Sequence, residues 1–146
     1  MELDYRLKLP NDLRAIERSV HYLMERGRQV GFSEDLLRLN LRVGVTEAIA
    51  NAMLYGNCRD PKKHVRVEAH FSTERLVVQV TDEGSGFDPG KVSDPTSSAG
   101  RHRAGGRGIF LIRKLMDQVE FNDRGNSVTM ILLNHPSAAQ ERASGS

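Results

Sequence analysis

The chain has 146 residues, of which 38% are hydrophobic and 27% charged, and a formal net charge of +2, which describes one ordinary domain with a single core. No apolar run approaches the roughly 18 residues of a membrane-spanning helix, and the small net charge without an aromatic series argues against direct nucleic-acid binding. One cysteine excludes an internal disulfide, and because the first residues lack the charged-then-apolar layout of a signal peptide, we expect a cytoplasmic protein.

The N-terminal third of the chain carries the patterns of one strand and two helices. Apolar and polar residues alternate over residues 1–9, which predicts a strand. Asn11 is a candidate cap for a first helix that ends near Gly27–Arg28. Ser33 is a candidate cap for a second helix, whose broad apolar stripe predicts that it runs to about Tyr55–Gly56.

The middle of the chain combines a strand pair with a glycine-rich segment. Alternation over residues 65–71 and 76–80 predicts a β-hairpin, with residues 72–75 as its turn. Glycine, proline and small polar residues dominate from Gly84 to Gly106. A segment of that length with few apolar residues is unusual inside a compact domain unless it forms a functional lid or is disordered.

The C-terminal part predicts a helix over residues 109–116 and a strand pair over residues 119–121 and 128–132. Residues 136–146 lack apolar periodicity and are expected to form a flexible tail behind a single domain of residues 1–135. Because hairpins dominate the order of elements, the sheet is expected to be mixed or mainly antiparallel with helices on one face. The predicted fold class is α+β, a two-layer sandwich.

A carboxylate and a carboxamide lie one helical turn apart at Glu47 and Asn51, so their side chains point from the same helix face. Glu47 could orient or deprotonate a nucleophile, and Asn51 offers a neutral oxygen suited to Mg²⁺. Taken alone, the pair fits a solvated helix edge better than a functional site. Asn57 could join the pair or cap the end of the helix.

Two glycine clusters accompany further polar residues. Asp82 follows a predicted strand, where its carboxylate could accept from the exocyclic amine of a base, and Gly84 and Gly86 would let a flat ring approach the backbone. An ordinary strand-terminating turn has the same composition. Gly105–Gly106–Arg107–Gly108 precedes a helix, and free N–H groups there would form an anion site that is not a Walker A loop.

Taken in order, these segments resemble the GHKL superfamily of gyrase, heat-shock chaperone ATPases, histidine kinases and MutL. Glu47 to Asn51 is similar to its N box, residues 82–87 to its G1 box and residues 106–108 to its G2 box. Residues 47–57 and 108–117 are most similar to the anti-sigma-factor serine kinases. The resemblance covers about residues 3–133.

The resemblance implies a Bergerat-type ATP-binding fold in which Glu47 is the general base, Asn51 coordinates Mg²⁺ and Asp82 recognises the adenine amino group. It implies a mobile lid over residues 87–106. It also implies nucleotide contacts from Asn51, Asp82, Gly84, Gly86, Phe87, Gly106, Arg107, Gly108, Ile109 and Ser127.

The resemblance further implies a homodimeric kinase that phosphorylates a serine of a STAS-domain anti-anti-sigma protein and holds a sigma factor when that partner is unavailable. The helix that carries Arg14 and Arg18 is a partner surface by resemblance, or simply a solvated charged face. Two positions depart from the family pattern. Tyr55 stands where a histidine is common, and Asn126 and Ser127 follow a glycine where threonine is common, so that either could serve the adenine-site water.

Two other functions fit the same motifs. A regulatory module could bind ATP and gate partner docking without transferring a phosphate, although the retained Glu47 favours a kinase because a pure binder needs no base. A detached ATPase domain of a histidine kinase would need a separate chain that carries the phosphoacceptor histidine.

Overall fold

A computed structural model describes residues 2–84 and 106–135 of the chain. Within those ranges the strands form one five-stranded sheet in the order β1-β2-β3-β5-β4, and all four neighbouring pairs are antiparallel. The strands are β1 (Leu3–Pro10), β2 (His64–Phe71), β3 (Arg75–Thr81), β4 (Gln118–Phe121) and β5 (Ser127–Leu133). The predicted α+β class and the two predicted strand pairs are confirmed.

The helices pack on one face of this sheet. They are α1 (Arg14–Gln29), α2 (Arg42–Asn51) and α3 (Gly106–Leu115). The other face is polar over β1 and β2, where Arg6 and Lys8 lie opposite Glu68 and Arg66. Among the described residues, no helix is both long enough and apolar enough to cross a bilayer.

The helix predicted between Ser33 and Gly56 is continuous, because π-helical segments over Leu36–Leu41 and Ala52–Gly56 flank α2. The Ser33 hydroxyl accepts the backbone N–H of Leu36 at 3.3 Å, which confirms its role as a cap. The wide turns themselves were not predicted, since hydrophobic periodicity does not distinguish them from α-helix over five or six residues. π-Turns within helices are frequent at functional sites.

The predicted cap of α1 is wrong by one residue. Asp12, not Asn11, accepts the backbone N–H of Arg14 through its carboxylate, at 2.9 Å. Asn11 instead donates to the carbonyl oxygens of Met53 and Asp60, at 3.3 and 3.0 Å. Both side chains can cap a helix, and the choice between them follows from the loop that packs against Asn11.

The core lies between the helices and the inward face of the sheet. Leu23, Leu37, Ile49, Phe71 and Met130 are among its largest side chains and are less than 2% exposed. They come from α1, the helical segment before α2, α2, β2 and β5, so one core joins both layers. This packing brings the end of the long helix, the end of β3 and the start of α3 to one edge of the sandwich.

Candidate functional site

A cavity of about 170 Å³ opens at that edge. Its walls are largely apolar, and its polar groups lie at two ends, which is the usual composition of a small-molecule site. It is lined by Ala48, Asn51, Ala52, Tyr55, Gly56, Val80, Asp82, Ile109, Ile112, Phe121, Gly125, Asn126, Ser127 and Val128.

Asp82 forms one end of the cavity, where its side chain is buried directly after β3. One carboxylate oxygen accepts the backbone N–H of Gly84 at 2.8 Å, and the backbone N–H of Asp82 donates to the Asn126 carbonyl at 2.9 Å. Burial raises the pKa of the Asp82 carboxyl, while the Gly84 N–H and the positive charges of Lys63 and Arg124 oppose that rise. A buried acceptor is thus held in one orientation.

Two glycines allow this arrangement because no side chain fits at either position. A Cβ atom on Gly56 would overlap the carboxylate oxygens of Asp82. A Cβ atom on Gly84 would overlap the carbonyl oxygen of Gly56. The motif already singled out Gly84, whereas the role of Gly56 was missed, since a glycine at the end of a helix is common for other reasons.

Asn57 does not join Glu47 and Asn51, and its side chain is fully buried elsewhere. Its amide oxygen accepts the backbone N–H of Glu83 at 2.7 Å, and its amide nitrogen donates to the His64 carbonyl at 3.0 Å. The residue therefore ties the end of the helix to the segment that carries Asp82.

At the other end of the cavity, Asn51 from the cavity wall meets Glu47 and Gly108, which lie beside the lining residues. A Cβ atom on Gly108 would lie 2.6 Å from Asn51 Nδ2 and 3.0 Å from Glu47 Oε2, so the first turn of α3 faces both side chains. Within the described parts of the chain, Asn51 Nδ2 is buried and has no hydrogen-bond partner. Since buried polar atoms are normally satisfied, this atom is a candidate for contact with a ligand or its bound water.

The other predicted site residues are placed as follows. Ile109 and Ser127 line the cavity, and the Ser127 hydroxyl is engaged by Thr81 Oγ1 at 2.8 Å and by Gln79 Nε2 at 3.2 Å. Gly106 and Arg107 lie in the first turn of α3. The predicted residues that lie outside the described ranges are Gly86, Phe87 and all but the last residue of the predicted lid.

Most of the apolar wall of the cavity was not predicted from the sequence. Val80, Ile112, Phe121 and Val128 line the cavity, yet their spacing is that of core residues in strands and a helix. Asn126 lies at the same end as Asp82, and its side-chain amide reaches the Asp82 carbonyl at 3.4 Å. Only the alignment of β3 with β5 brings these residues together.

Known proteins share this sequence and fold. The profile of the family described as "Histidine kinase-like ATPase domain" matches residues 9–132. The serine-protein kinase RsbW of Listeria innocua is 32% identical over 125 residues, which cover 79% of this chain and 77% of the relative. The enzyme of the same name from Bacillus subtilis is 31% identical over 109 residues, covering 70% of this chain and 68% of that protein.

A solved structure supports the fold alone, because its sequence is only 16% identical. It is the crystal structure of the RsbU and RsbW domains of a Mycobacterium tuberculosis protein, with a TM-score of 0.63. The likeness covers 92% of this chain and 34% of that one, so the chain spans about a third of the larger protein.

Proposed function

The chain belongs to the family of histidine kinase-like ATPase domains and is a protein serine kinase, and from this premise we propose that it is an anti-sigma switch. It transfers the γ-phosphate of ATP to a serine of a STAS-type anti-anti-sigma protein, and it sequesters a sigma factor when that partner is unavailable. The observation that carries the proposal is the meeting of Glu47, Asn51 and Gly108 at one end of a cavity whose other end holds the buried Asp82.

Asp82 recognises the base in this proposal. A carboxylate has acceptor sites beyond the one that Gly84 N–H uses, so it can also accept from the exocyclic amine of adenine. The apolar wall that includes Ile109 suits the faces of a flat ring. Gly56 and Gly84 leave room for the carboxylate at this end, because a Cβ atom on Gly56 would overlap it and one on Gly84 would overlap the Gly56 carbonyl.

The residues at the other end fit Mg²⁺ and the phosphates. The described residues include no group of three or more His, Cys, Asp or Glu side chains suited to a metal. Mg²⁺ does not need such a group, since it is commonly held by one or two protein oxygens, substrate phosphates and water. Asn51 Oδ1 would supply the protein oxygen, and the bound ion would neutralise charge on the phosphates.

Glu47 is the general base in the proposed reaction. The serine oxygen of the partner forms a bond to the γ-phosphorus, the bond from that phosphorus to the bridging oxygen of ADP breaks, and Glu47 takes the hydroxyl proton. Backbone N–H groups of Gly106 to Gly108, in the first turn of α3, bind phosphate oxygens with the help of the helix dipole. Arg107 adds a charge to that anion site.

The remaining contacts belong to the same proposal. Gly86 and Phe87 contact the nucleotide, and residues 87–106 form a lid over it. The protein acts in the cytoplasm as a homodimer that contacts neither nucleic acid nor membrane.

The kinase proposal is tested by incubating the chain with labelled ATP and a panel of STAS-domain proteins. We expect label on a serine of one of them, and loss of that label in Glu47→Gln. Glu120→Gln, on an exposed position of β4, is the matched control and should transfer label normally. Tight ATP binding without transfer to any STAS protein would instead identify a regulatory module.

A second experiment tests sequestration. Recovery of bound proteins from native cytoplasm in the presence of ATP or ADP should yield a sigma factor in one nucleotide state and the STAS protein in the other. Recovery of neither would contradict the switch while leaving the kinase activity standing.

A further inference from the structure

The turn between β4 and β5 is hydrogen-bonded to the segment that carries Asp82. The Asp82 N–H donates to the Asn126 carbonyl at 2.9 Å, and Asn126 Nδ2 donates to the Asp82 carbonyl at 3.4 Å. Arg124 Nη2 donates to the Gly84 carbonyl at 3.3 Å. Backbone groups on both sides of the carboxylate are therefore bonded to a single turn that lies more than thirty residues further along the chain.

The turn is itself held in one shape. The Asn122 amide oxygen accepts the backbone N–H groups of Asn126 and Ser127, at 3.0 and 3.2 Å. Its amide nitrogen donates to the side-chain oxygen of Asn126 at 2.6 Å. Gly125 has a positive φ of 75°, which a glycine adopts without strain. Arg124 thus extends from a braced turn, and its exposed side chain is anchored by the bond to the Gly84 carbonyl.

We propose that Arg124 is a positioning residue for base recognition: its guanidinium donates to the Gly84 carbonyl and so holds the segment that begins at Asp82, and its charge favours the ionised form of that carboxylate. The inference rests on the proposed role of Asp82 toward adenine. Neither the motifs nor their spacing pointed to Arg124, because it lies forty residues from Gly84 and belongs to no glycine cluster.

Because Asp82 is buried, the positive charge of nearby Arg124 affects its protonation. A buried carboxylate loses hydration, so its neutral form is favoured, and a protonated Asp82 would present a donor to an amine that is itself a donor. Among the residues that the structure describes, the charged groups near Asp82 include Lys63 before β2, Arg124 and the adjacent Glu83, which lies 3.5 Å from the His64 ring. Of the two cations, Arg124 also bonds to the segment that Asp82 begins.

The test measures the Kd of ATP at a fixed low ionic strength from pH 5 to pH 8, for the full chain and its variants. Dividing the Kd of each variant by that of the unaltered chain removes the titration of the nucleotide itself. Arg124→Met should raise the Kd about three- to tenfold at pH 7, the usual range for one lost hydrogen bond and a nearby charge. The ratio should grow as the pH falls, since the variant loses the ionised carboxylate at higher pH.

Three variants separate the effect of the positive charge from that of the hydrogen bond between Arg124 and the Gly84 carbonyl. Lys63→Met should show the pH-dependent part alone, because Lys63 affects the charge of Asp82 without bonding to Gly84. Arg124→Lys keeps the charge and should show a smaller ratio that is independent of pH. Arg75→Met, on an exposed position at the opposite end of β3 from Asp82, removes one positive charge and should leave the ratio at one.

A uniform loss across pH in Arg124→Met would overturn the inference, because an ordinary structural contact would produce it. A ratio equal to that of Arg75→Met would also overturn it. Thermal unfolding of each variant checks that the fold is retained, and Arg124→Lys provides the test if Arg124→Met fails to fold. Asp82→Asn separates the two proposals. Unchanged ATP affinity in this variant contradicts base recognition by Asp82. If Asp82→Asn weakens ATP affinity but Arg124→Met leaves it unchanged, only the role of Arg124 is contradicted.

Discussion

The two ends of the cavity differ in how completely the protein satisfies its own polar groups. At the Asp82 end, the carboxylate, the backbone on either side of it and the turn that holds it are joined by hydrogen bonds. At the Glu47 end, Asn51 Nδ2 is buried without a partner in the described parts of the chain. Folding alone orients the Asp82 carboxylate, whereas at the Glu47 end it leaves a buried donor for which we propose a ligand partner.

From this difference we assign ATP binding mainly to the Asp82 end and phosphate transfer mainly to the Glu47 end. A braced acceptor loses little freedom when a ligand binds, so it is suited to affinity and to the choice of base. Side chains that keep unused hydrogen-bonding capacity can instead form their strongest interactions in the transition state. We therefore expect substitutions at the Asp82 end to change ATP affinity and substitutions at the Glu47 end to change the rate of transfer.

The largest effect is expected for Glu47→Gln. Loss of a general base typically lowers a rate by about a hundredfold or more, while the amide keeps the size of the side chain. Transfer to the partner serine should therefore fall by about that factor, and the Kd of ATP should change less than about threefold. Single-turnover kinetics and calorimetry measure the two quantities. Wild-type transfer by this variant would show that the base has been assigned wrongly.

Gly84→Ala tests the Asp82 end. The added Cβ would overlap the carbonyl oxygen of Gly56, which is backbone and cannot move aside cheaply. We expect ATP affinity to fall about tenfold and the free energy of unfolding to fall by about 1–3 kcal/mol. Denaturant titration and calorimetry measure these changes. Gly44→Ala is the control, because its Cβ would meet only the flexible end of Met116, and ATP should bind to it normally.

Gly108→Ala tests the Glu47 end with a milder change. Its Cβ would press on Asn51 Nδ2 and Glu47 Oε2, which are the ends of flexible side chains. Those atoms can shift, so stability should hardly change, but displacing them should slow transfer by about tenfold. A rate constant measured at saturating ATP tests this expectation. A loss of ATP affinity with an unchanged rate constant would reverse the contrast between the two ends.

The smallest effect concerns the stability of the ATP-free protein. Burial raises the pKa of Asp82 in the folded state, so its contribution to stability is present at low pH and is lost as the pH rises through that raised value. Asp82→Asn removes this loss, and its Tm at pH 7 should exceed that of the unaltered chain by about one or two degrees. The two proteins should converge below about pH 4.

Much of the fold could be predicted because it follows from local periodicity. Alternating apolar residues identified the strands, and Ser33 was found as a cap because its side chain acts three residues away. The prediction of Asn11 as the cap of α1 failed, although Asn and Asp both cap helices well. Asn11 is used by carbonyl groups of Met53 and Asp60, which lie more than forty residues away, and no local pattern records that contact.

The candidate site likewise has a part that the sequence predicts and a part that it does not. Glu47 and Asn51 share a helix face because four residues make about one turn, so the sequence by itself determined that they lie together. Only the tertiary structure placed Gly108 against that pair and Gly56 against Asp82. It also decided that Asn57 braces Glu83 and that Arg124 reaches Gly84. The physical reason is that backbone geometry fixes neighbours within one turn or strand, whereas contacts between distant segments arise only when the two layers pack around their common core.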